Sequence, residues 1–255
     1  MRFKNTLKDI GEYILSLFFP NRCIFCEKIV APFEGVCKSC EETLPWINGD
    51  ICHLCGHKES DCICKKHHGK FYDAIVSPLY YVDSVRTCIH NFKFKDERVF
   101  AKTLAKLMNN TRISEYSDVN FDYVTYIPMN WKHQKKRGYN QGRLLAKELS
   151  KISLIPFADE LLLKVYETDT QHLCGNAVLR QGNLLGAFDV NPEFSVKGKK
   201  ILLVDDVKTS GCTLNECSKM LYLNGADLIY CITASLVKNE NKKKKKEDVE
   251  CSEQK

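Results

Sequence analysis

KKILLVDDVKTSGCT, residues 199–213, joins a continuous apolar run to a pair of acids and a hydroxyl-rich loop. The run Ile201–Val204 is typical of a strand buried on both faces of a parallel sheet, which predicts an α/β fold. Asp205 and Asp206 follow at the carboxyl end of this strand. Because open α/β sheets bind their ligands at that edge, the two carboxylates are the first candidate site residues.

The loop after the acid pair carries hydroxyl groups and a glycine, in Thr209, Ser210, Gly211, Cys212 and Thr213. A helix is predicted to follow at once, with Thr213 and Glu216 forming a capping box. Backbone N–H groups and hydroxyls at a helix N-terminus bind phosphate, and two carboxylates suit the vicinal hydroxyls of a ribose. The segment is therefore predicted to hold a ribose 5-phosphate.

Two other interpretations of the acid pair stay open at this point. A buried strand that ends in two aspartates also occurs as the metal-binding strand of a nucleotide triphosphatase, or as a simple polar strand end. A triphosphatase would need a G-x-x-x-x-G-K-[ST] loop, and the 255 residues contain none. The ribose-phosphate interpretation is therefore favoured.

VDDVKTSGCT also resembles the phosphoribosyl-pyrophosphate (PRPP) signature of type I phosphoribosyltransferases. The resemblance implies that Asp205 and Asp206 bind the ribose hydroxyls and that the loop from Thr209 to Thr213 holds the 5-phosphate. Ser210 stands where that family usually has a second threonine, and its hydroxyl preserves the same chemistry.

The composition is that of a globular chain. The 255 residues are 44% hydrophobic, enough for a full α/β domain and a smaller module, and the net charge is only +6. Residues 238–255 carry seven lysines against five acids, +2 of that charge, so charge alone argues little for nucleic acid. Without a secretory signal or an apolar run of about eighteen residues, we expect a cytoplasmic protein with no membrane span.

Eight of the fourteen cysteines lie between Cys23 and Cys64, in four close pairs. In a chain without a secretory signal, such pairs are typical of metal ligands rather than disulfides, because two Cys-x-x-Cys turns complete a four-sulfur zinc site. We predict a regular first site and a second whose last pair has one spacer. The ligands are Cys23, Cys26, Cys37 and Cys40 in site one, and Cys52, Cys55, Cys62 and Cys64 in site two.

The second site leaves alternatives open, because a sulfur could be replaced by His53, His57, His67 or His68. A redox dithiol is disfavoured, since four consecutive pairs exceed what such an enzyme uses. With no coordination position left for water, each zinc would be structural and would contribute to folding. A short hairpin is predicted between Cys26 and Cys37.

The rest of the chain alternates strands and helices. The patterns predict a helix over 1–19, a strand over Phe71–Tyr81, helices around Val85–Ile89 and Val99–Met108, and strands over Tyr123–Pro128 and Leu228–Val237. The stretch MNWKHQKKRGYNQGR, 129–143, is predicted to be a basic loop that either grips a pyrophosphate or is a solvated face. The charged tail is predicted to be disordered.

The order of these motifs resembles the ComF/GntX family of phosphoribosyltransferase-like proteins. The matching motifs are FKF at 92–94, IP…KRGYNQ at 127–141, TQ…R..N..GAF at 170–188 and VDDV.TSG.T at 204–213. The resemblance covers nearly the whole chain except the last eighteen residues. We therefore expect a type I phosphoribosyltransferase-like parallel sheet flanked by helices, preceded by a small zinc-ribbon module with four-cysteine sites.

The expected domains are an amphipathic helix over 1–20, a double zinc ribbon over 21–69, a phosphoribosyltransferase-like domain over 70–237 and a tail over 238–255.

Several site residues are implied by the same resemblance. In type I phosphoribosyltransferases the loop after the strand that matches Tyr123–Ile127 binds pyrophosphate, which implies this role for Arg137 and Lys136. Asn140 and Gln141 match the family motif, and capping of the next helix is the alternative role for them.

The segment over 170–188 corresponds in position to a mobile flap of type I enzymes. The resemblance implies a lid that supplies Arg180 to the phosphates, and a polar helix-turn packed on the sheet is the other interpretation. The motif residues of this candidate lid are Gln171, Arg180 and Asn183.

Two functions of different classes are consistent with these features. One is an enzyme that transfers phosphoribosyl from Mg²⁺-bound PRPP and releases pyrophosphate, linked to DNA uptake by the ComF resemblance. The other is a non-catalytic factor that handles single-stranded DNA, together with DNA-uptake proteins, and uses the domain only to bind PRPP or a nucleotide. A ribbon that only stabilises or dimerises the protein is a third possibility.

Overall fold

The computed structural model describes residues 19–62, 64, 69–93, 97–165 and 186–238. Its helices are α1 (Lys38–Thr43), α2 (Asp83–Phe92), α3 (Glu97–Glu115), α4 (Trp131–Arg137), α5 (Gln141–Ser153) and α6 (Cys212–Leu223). Its strands are β1 (Ala74–Val76), β2 (Leu79–Tyr80), β3 (Tyr123–Tyr126), β4 (Leu162–Lys164), β5 (Phe188–Val190), β6 (Lys200–Lys208) and β7 (Leu228–Leu236). The helix predicted for the N-terminus and the charged tail fall almost wholly outside these residues.

A parallel sheet forms the centre of the α/β domain. Its order is β1-β7-β6-β3, and β2 also pairs with β7. β6 and β7 pair from Lys200–Leu228 to Lys208–Leu236. β3 pairs with β6 over Tyr123–Tyr126. These pairings confirm the predicted parallel sheet, with the apolar run before the acid pair as a central strand.

The side chains of β6 enter two separate cores. Leu202 and Val204 pack on one face with α2, α3 and α5, whereas Ile201 and Leu203 pack on the other face with α6. All four side chains are fully buried. Because helices cover both faces, the strand is apolar at every position rather than at alternate ones.

β6 is longer than the sequence pattern predicts. It continues through the acid pair to Lys208, because β7 pairs with it that far. β3, on the other side, ends at Tyr126, which pairs with Val204. The two carboxylates therefore lie inside the strand, just beyond the last residue that pairs with β3.

The strand predicted over Phe71–Tyr81 is divided into β1 and β2. Ser77 and Pro78 separate them. Pro78 has no N–H for a sheet hydrogen bond, and its carbonyl instead accepts one from Ile47 of the cysteine-rich module at 2.9 Å.

The prediction of a basic loop over 129–143 is wrong, because this stretch contains the helix α4 and the start of α5. Asn130 caps α4 by accepting a hydrogen bond from the Lys132 N–H, and Gly138 ends it with φ +83°. Lys, Gln and Arg favour helix between these two signals.

The cysteine-rich module packs directly on the sheet, where Trp46 forms an antiparallel bridge with Leu79. The hairpin predicted between Cys26 and Cys37 is instead centred on the first cysteine pair, since Arg22 bridges to Ile29 across it. Ile51 and Lys58 bridge in the same way around the first pair of site two. Within the described ranges, no helix has both the length and the apolar character that a membrane span needs.

Candidate functional site

The acid pair lies at the carboxyl edge of the sheet. Next to it is the last β3–β6 hydrogen bond, from the Ile127 N–H to the Val204 carbonyl at 3.1 Å. Oδ1 of Asp205 accepts a bond from the Asp206 N–H at 2.9 Å, and Oδ1 of Asp206 accepts one from the Val207 N–H at 2.8 Å. N–H groups of the strand itself therefore orient both carboxylates.

The charge of this pair is partly compensated by one lysine. Burial, and then the charge of Asp206, raise the pKa of the Asp205 carboxyl well above its ordinary value. Lys93 directly follows α2, and its Nζ lies 3.2 Å from Oδ2 of Asp206. Sequence reasoning places Lys93 in the FKF motif without a role, because no local signal joins α2 to β6. Hydroxyl donors or a cation would stabilise such a crowded acid pair.

The candidate phosphate loop, Thr209–Thr213, joins β6 to α6 at the same edge of the sheet. The predicted capping box is wrong, because α6 begins at Cys212 and Gly211 is its N-cap, with φ +78°. Among the described residues no side chain caps this helix, and Ser210 Oγ accepts only a long bond of 3.4 Å from the Cys212 N–H. The N–H groups of the first turn are therefore available to an anion.

Glycine is required at position 211 for two reasons. Its left-handed φ is unfavourable for other residues. A Cβ atom there would also lie 3.1 Å from Cε of Lys208, a lysine whose side chain is buried beneath the loop. The backbone of the loop can therefore approach both Lys208 and a ligand closely.

The KRGYNQ turn is held against the end of β6. Asn140 caps α5 by accepting a bond from the Arg143 N–H at 3.2 Å, and its Nδ2 donates to the Ile127 carbonyl at 3.0 Å. Capping, the alternative role for Asn140, is therefore what the geometry shows. A Cβ atom on Gly142 would lie 3.5 Å from the Val204 carbonyl, so α5 begins close to the acid pair.

Polar groups of the same turn face one another across α4 and α5. Nη1 of Arg137 lies 3.5 Å from Oε1 of Gln141. Gln141 is buried, and its Nε2 has no hydrogen-bond partner among the described residues. The backbone of Lys136 lies in α4, and its side chain is not among those described.

The chain enters and leaves the candidate lid through a hairpin, in which β4 and β5 pair antiparallel. Gln171, Arg180 and Asn183 themselves lie outside the described residues. A cavity of about 370 Å³ opens between this hairpin and α4, and its lining includes Trp131, Gln134, Asn140, Arg143 and Leu163.

The eight predicted zinc ligands form two clusters. The Sγ atoms lie within 4.8 Å of one another in each cluster, which are Cys23, Cys26, Cys37 and Cys40, and Cys52, Cys55, Cys62 and Cys64. Tetrahedral zinc bound at about 2.3 Å separates its sulfurs by about 3.8 Å. The Cys26–Cys37 and Cys55–Cys62 Sγ distances are 3.5 and 3.7 Å. Both clusters therefore fit structural zinc.

The histidine alternatives at the second cluster are not supported for the two described histidines. Nε2 of His57 lies 3.1 Å from the Val237 carbonyl, and Nε2 of His53 lies 3.1 Å from Glu115. In the first cluster, the backbone N–H of Cys40 lowers the pKa of Cys37 to about 7, whereas burial raises the pKa of Cys40 well above its ordinary value.

The second cluster is connected to the candidate phosphate site. Asn215, in the first turn of α6, accepts a bond from the Phe71 N–H at 2.9 Å and donates to the Gly69 carbonyl at 3.0 Å. His57 reaches Val237, whose N–H bonds to the Lys208 carbonyl at 3.0 Å. The Cys52–Cys64 region thus contacts the segment beside the start of the loop through His57, and the segment that follows it contacts the first turn of α6.

Comparison with known proteins agrees with this two-part architecture. Residues 14–69 match the model of the double zinc ribbon domain, and residues 138–255 match that of the phosphoribosyl transferase domain. Competence protein F of Haemophilus influenzae is 30% identical over 227 residues, which cover 83% of this chain and 95% of that protein. The chain belongs to the ComF family.

Other relatives of this ComF-family chain carry a different name. DNA utilization protein YhgH of Escherichia coli K12 is 26% identical over 230 residues, 86% of this chain and 100% of that protein. Among solved structures, the Bacillus subtilis glutamine PRPP amidotransferase is 21% identical, with a TM-score of 0.37 over 53% of this chain and 26% of its own. The predicted phosphoribosyltransferase-like sheet with an N-terminal zinc ribbon is thus confirmed by the domain matches and by the strand pairing.

Proposed function

We propose that this ComF-family protein binds PRPP with Mg²⁺ and transfers its phosphoribosyl group to an acceptor, releasing pyrophosphate. The observation that carries the proposal is the continuity of β6 and α6. One strand presents the acid pair, and six residues after Asp206 the chain begins α6, whose start has no side-chain cap and can bind an anion. A ribose 5-phosphate carries vicinal hydroxyls and a phosphate on one molecule, the two kinds of group that this acid pair and this helix start can bind.

The proposed roles of the residues rest on this geometry and on the family resemblance. Asp205 and Asp206 would accept hydrogen bonds from the ribose hydroxyls, and the N–H groups of the loop would hold the 5-phosphate. Arg137 and Lys136 would hold the pyrophosphate, and the carboxylates would also face the Mg²⁺ ion. When bound, Mg²⁺ would neutralise charge on the pyrophosphate.

The chain would act by positioning and by charge, without a protein nucleophile. The acceptor would form a bond to C1 of the ribose and lose its proton. The bond between C1 and the pyrophosphate would break, with its electron pair leaving on the pyrophosphate.

The test is pyrophosphate release from PRPP across a panel of bases and amines. We expect release by the wild type and a loss of at least about a hundredfold in Asp206→Asn, because the transition state loses a charged hydrogen-bond acceptor. The matched control is Asp227→Asn, since Asp227 is exposed before β7 at the opposite end of the sheet. Equal rates in the wild type and Asp206→Asn would contradict the assignment.

A second candidate function is binding of single-stranded DNA without turnover. It is favoured by the exposed indole of Trp131, 57% accessible, at the start of the basic helix α4, with Lys132 Nζ 5.9 Å from the ring. An aromatic side chain beside cations is the usual surface for stacked bases. The names of the relatives, a competence protein and a DNA utilization protein, agree with it.

Titration with single-stranded DNA at two salt concentrations separates the two functions. Tight, salt-sensitive binding that Trp131→Ala weakens, without pyrophosphate release by the wild type, would support the DNA-handling factor. Release of pyrophosphate that depends on Asp206 would support the enzyme.

A further inference from the structure

Three motifs that are far apart in the sequence meet at the acid pair. The hydroxyl of Tyr139, in the KRGYNQ turn, donates a hydrogen bond to the carbonyl of Phe92, and the two rings pack 6.3 Å apart. Phe92 is itself fully buried at the end of α2. The end of α2 is therefore fixed between the KRGYNQ turn and β6, and Lys93 is the next residue.

Lys93 covers one oxygen of the acid pair. Its Nζ lies 3.2 Å from Oδ2 of Asp206, and the two side chains are only 23% and 17% exposed. Oδ1 of Asp206 already accepts the Val207 N–H. A ribose hydroxyl that donates to Oδ2 of Asp206 would therefore compete with the ammonium for this oxygen.

A displaced ammonium in this partly buried position needs another anionic partner, because an unpaired charge there is unfavourable. In PRPP the pyrophosphate is attached to C1, adjacent to the carbon that carries the 2-hydroxyl. When the 2-hydroxyl donates to Asp206, the pyrophosphate oxygens therefore lie within reach of the Lys93 ammonium, because the four-carbon side chain of lysine is flexible.

We propose that Lys93 is a pyrophosphate-binding residue, which moves from Asp206 to the pyrophosphate when the ribose hydroxyls occupy Asp206. This inference rests on the proposed function, and it gives the FKF motif a role in the same site. It also means that Lys93 distinguishes PRPP from ribose 5-phosphate, which has the same hydroxyls and 5-phosphate but no pyrophosphate.

The experiment compares the binding of Mg²⁺-PRPP and of ribose 5-phosphate by calorimetry, in the full chain and in Lys93→Gln. We expect Lys93→Gln to weaken PRPP binding by about 10- to 100-fold, the range for a charge-assisted hydrogen bond. Ribose 5-phosphate should bind equally or more tightly, because the ammonium no longer competes for Asp206. Lys93→Arg should keep most of the PRPP affinity.

Lys102→Gln is the matched control, because Lys102 is an exposed lysine of α3; it should bind both ligands like the wild type. An equal loss of both ligands in Lys93→Gln would show that Lys93 only holds Asp206 in place, and would overturn the inference. Unchanged binding of both ligands would overturn it as well. If the wild type bound neither ligand, the proposed function would fall, and this inference with it.

Discussion

At the scale of single residues, Asp205 combines a proposed binding role with a cost in stability. Its pKa is raised by burial and by the neighbouring charge of Asp206. A carboxyl whose pKa is raised in the folded state stabilises the fold below its ordinary pKa, and that stability is lost as the pH rises through the folded pKa. We therefore expect Asp205 to destabilise the folded protein at a pH above its folded-state pKa, where the buried carboxyl is ionised.

At a pH above the folded-state pKa of Asp205, we expect Asp205→Asn to raise the free energy of unfolding. We also expect this variant to lose the binding of ribose 5-phosphate. The amide oxygen can still accept the Asp206 N–H, while the buried charge is gone. The gain should be on the order of 1 kcal/mol, or about 2–4 °C in Tm for a chain of this size. Thermal unfolding as a function of pH measures it.

The pH dependence is the decisive part of that measurement. The difference in Tm should shrink as the pH falls below 3.8, the ordinary pKa of the carboxyl, because Asp205 is then protonated in both the folded and the unfolded state. Asp227→Asn is measured alongside as the control variant. A difference in Tm that is the same at every pH would rule out the charge as its cause.

At the scale of elements, the start of α6 has no side-chain cap and is held instead by the side chain of Asn215. Asn215 holds the first turn of the helix to the segment at Gly69–Phe71 with two hydrogen bonds. We expect Asn215→Ala to cost about 1–2 kcal/mol of unfolding free energy and to weaken ribose 5-phosphate binding severalfold, because two neutral hydrogen bonds are lost beside the phosphate loop. Denaturant unfolding and calorimetry measure the two effects.

The other end of the same helix supplies the control. Asn224 follows α6 and donates to the Met220 carbonyl at 2.9 Å, far from the loop. Asn224→Ala should lower stability without changing the affinity for ribose 5-phosphate. Equal affinities in the Asn215 and Asn224 variants would show that the start of α6 does not depend on this contact.

At the scale of the whole molecule, the two zinc clusters have different neighbours. The first packs toward α3, where the Lys106 ammonium donates to the Phe33 carbonyl at 3.3 Å. The second contacts the sheet near the candidate phosphate loop, since the His53 carbonyl accepts the Ile75 N–H at 2.8 Å and the His57 ring contacts the Val237 carbonyl. The module is therefore part of the support for the candidate site and not only an appendage.

Cys26→Ser and Cys64→Ser remove one exposed ligand from the first and the second cluster. Each should lower the zinc content by about one equivalent, because structural zinc needs all four ligands. Only Cys64→Ser should reduce the affinity for ribose 5-phosphate, by about tenfold, since its cluster supports the loop. Elemental analysis and calorimetry test this, and an equal effect of both variants on binding would refute it.

Much of the architecture follows from patterns that are local in the chain. The run Ile201–Val204 predicts a strand buried on both faces, and closely spaced cysteine pairs predict two four-sulfur clusters, since each depends on near neighbours. Asn130 and Gly138 are also local signals of a helix, and the basic loop predicted there is wrong because it gives the density of charge more weight than those two caps.

Other features required contacts between distant segments. β6 reaches Lys208 because β7, which follows α6 in the chain, pairs with it up to that residue. Two contacts join segments that no spacing in the sequence relates: the ion pair of Lys93 with Asp206 and the hydrogen bond from Asn215 to the Gly69 carbonyl. Composition and periodicity select elements, because they act within a few residues, whereas the position of one side chain against another depends on how the finished sheet and helices pack.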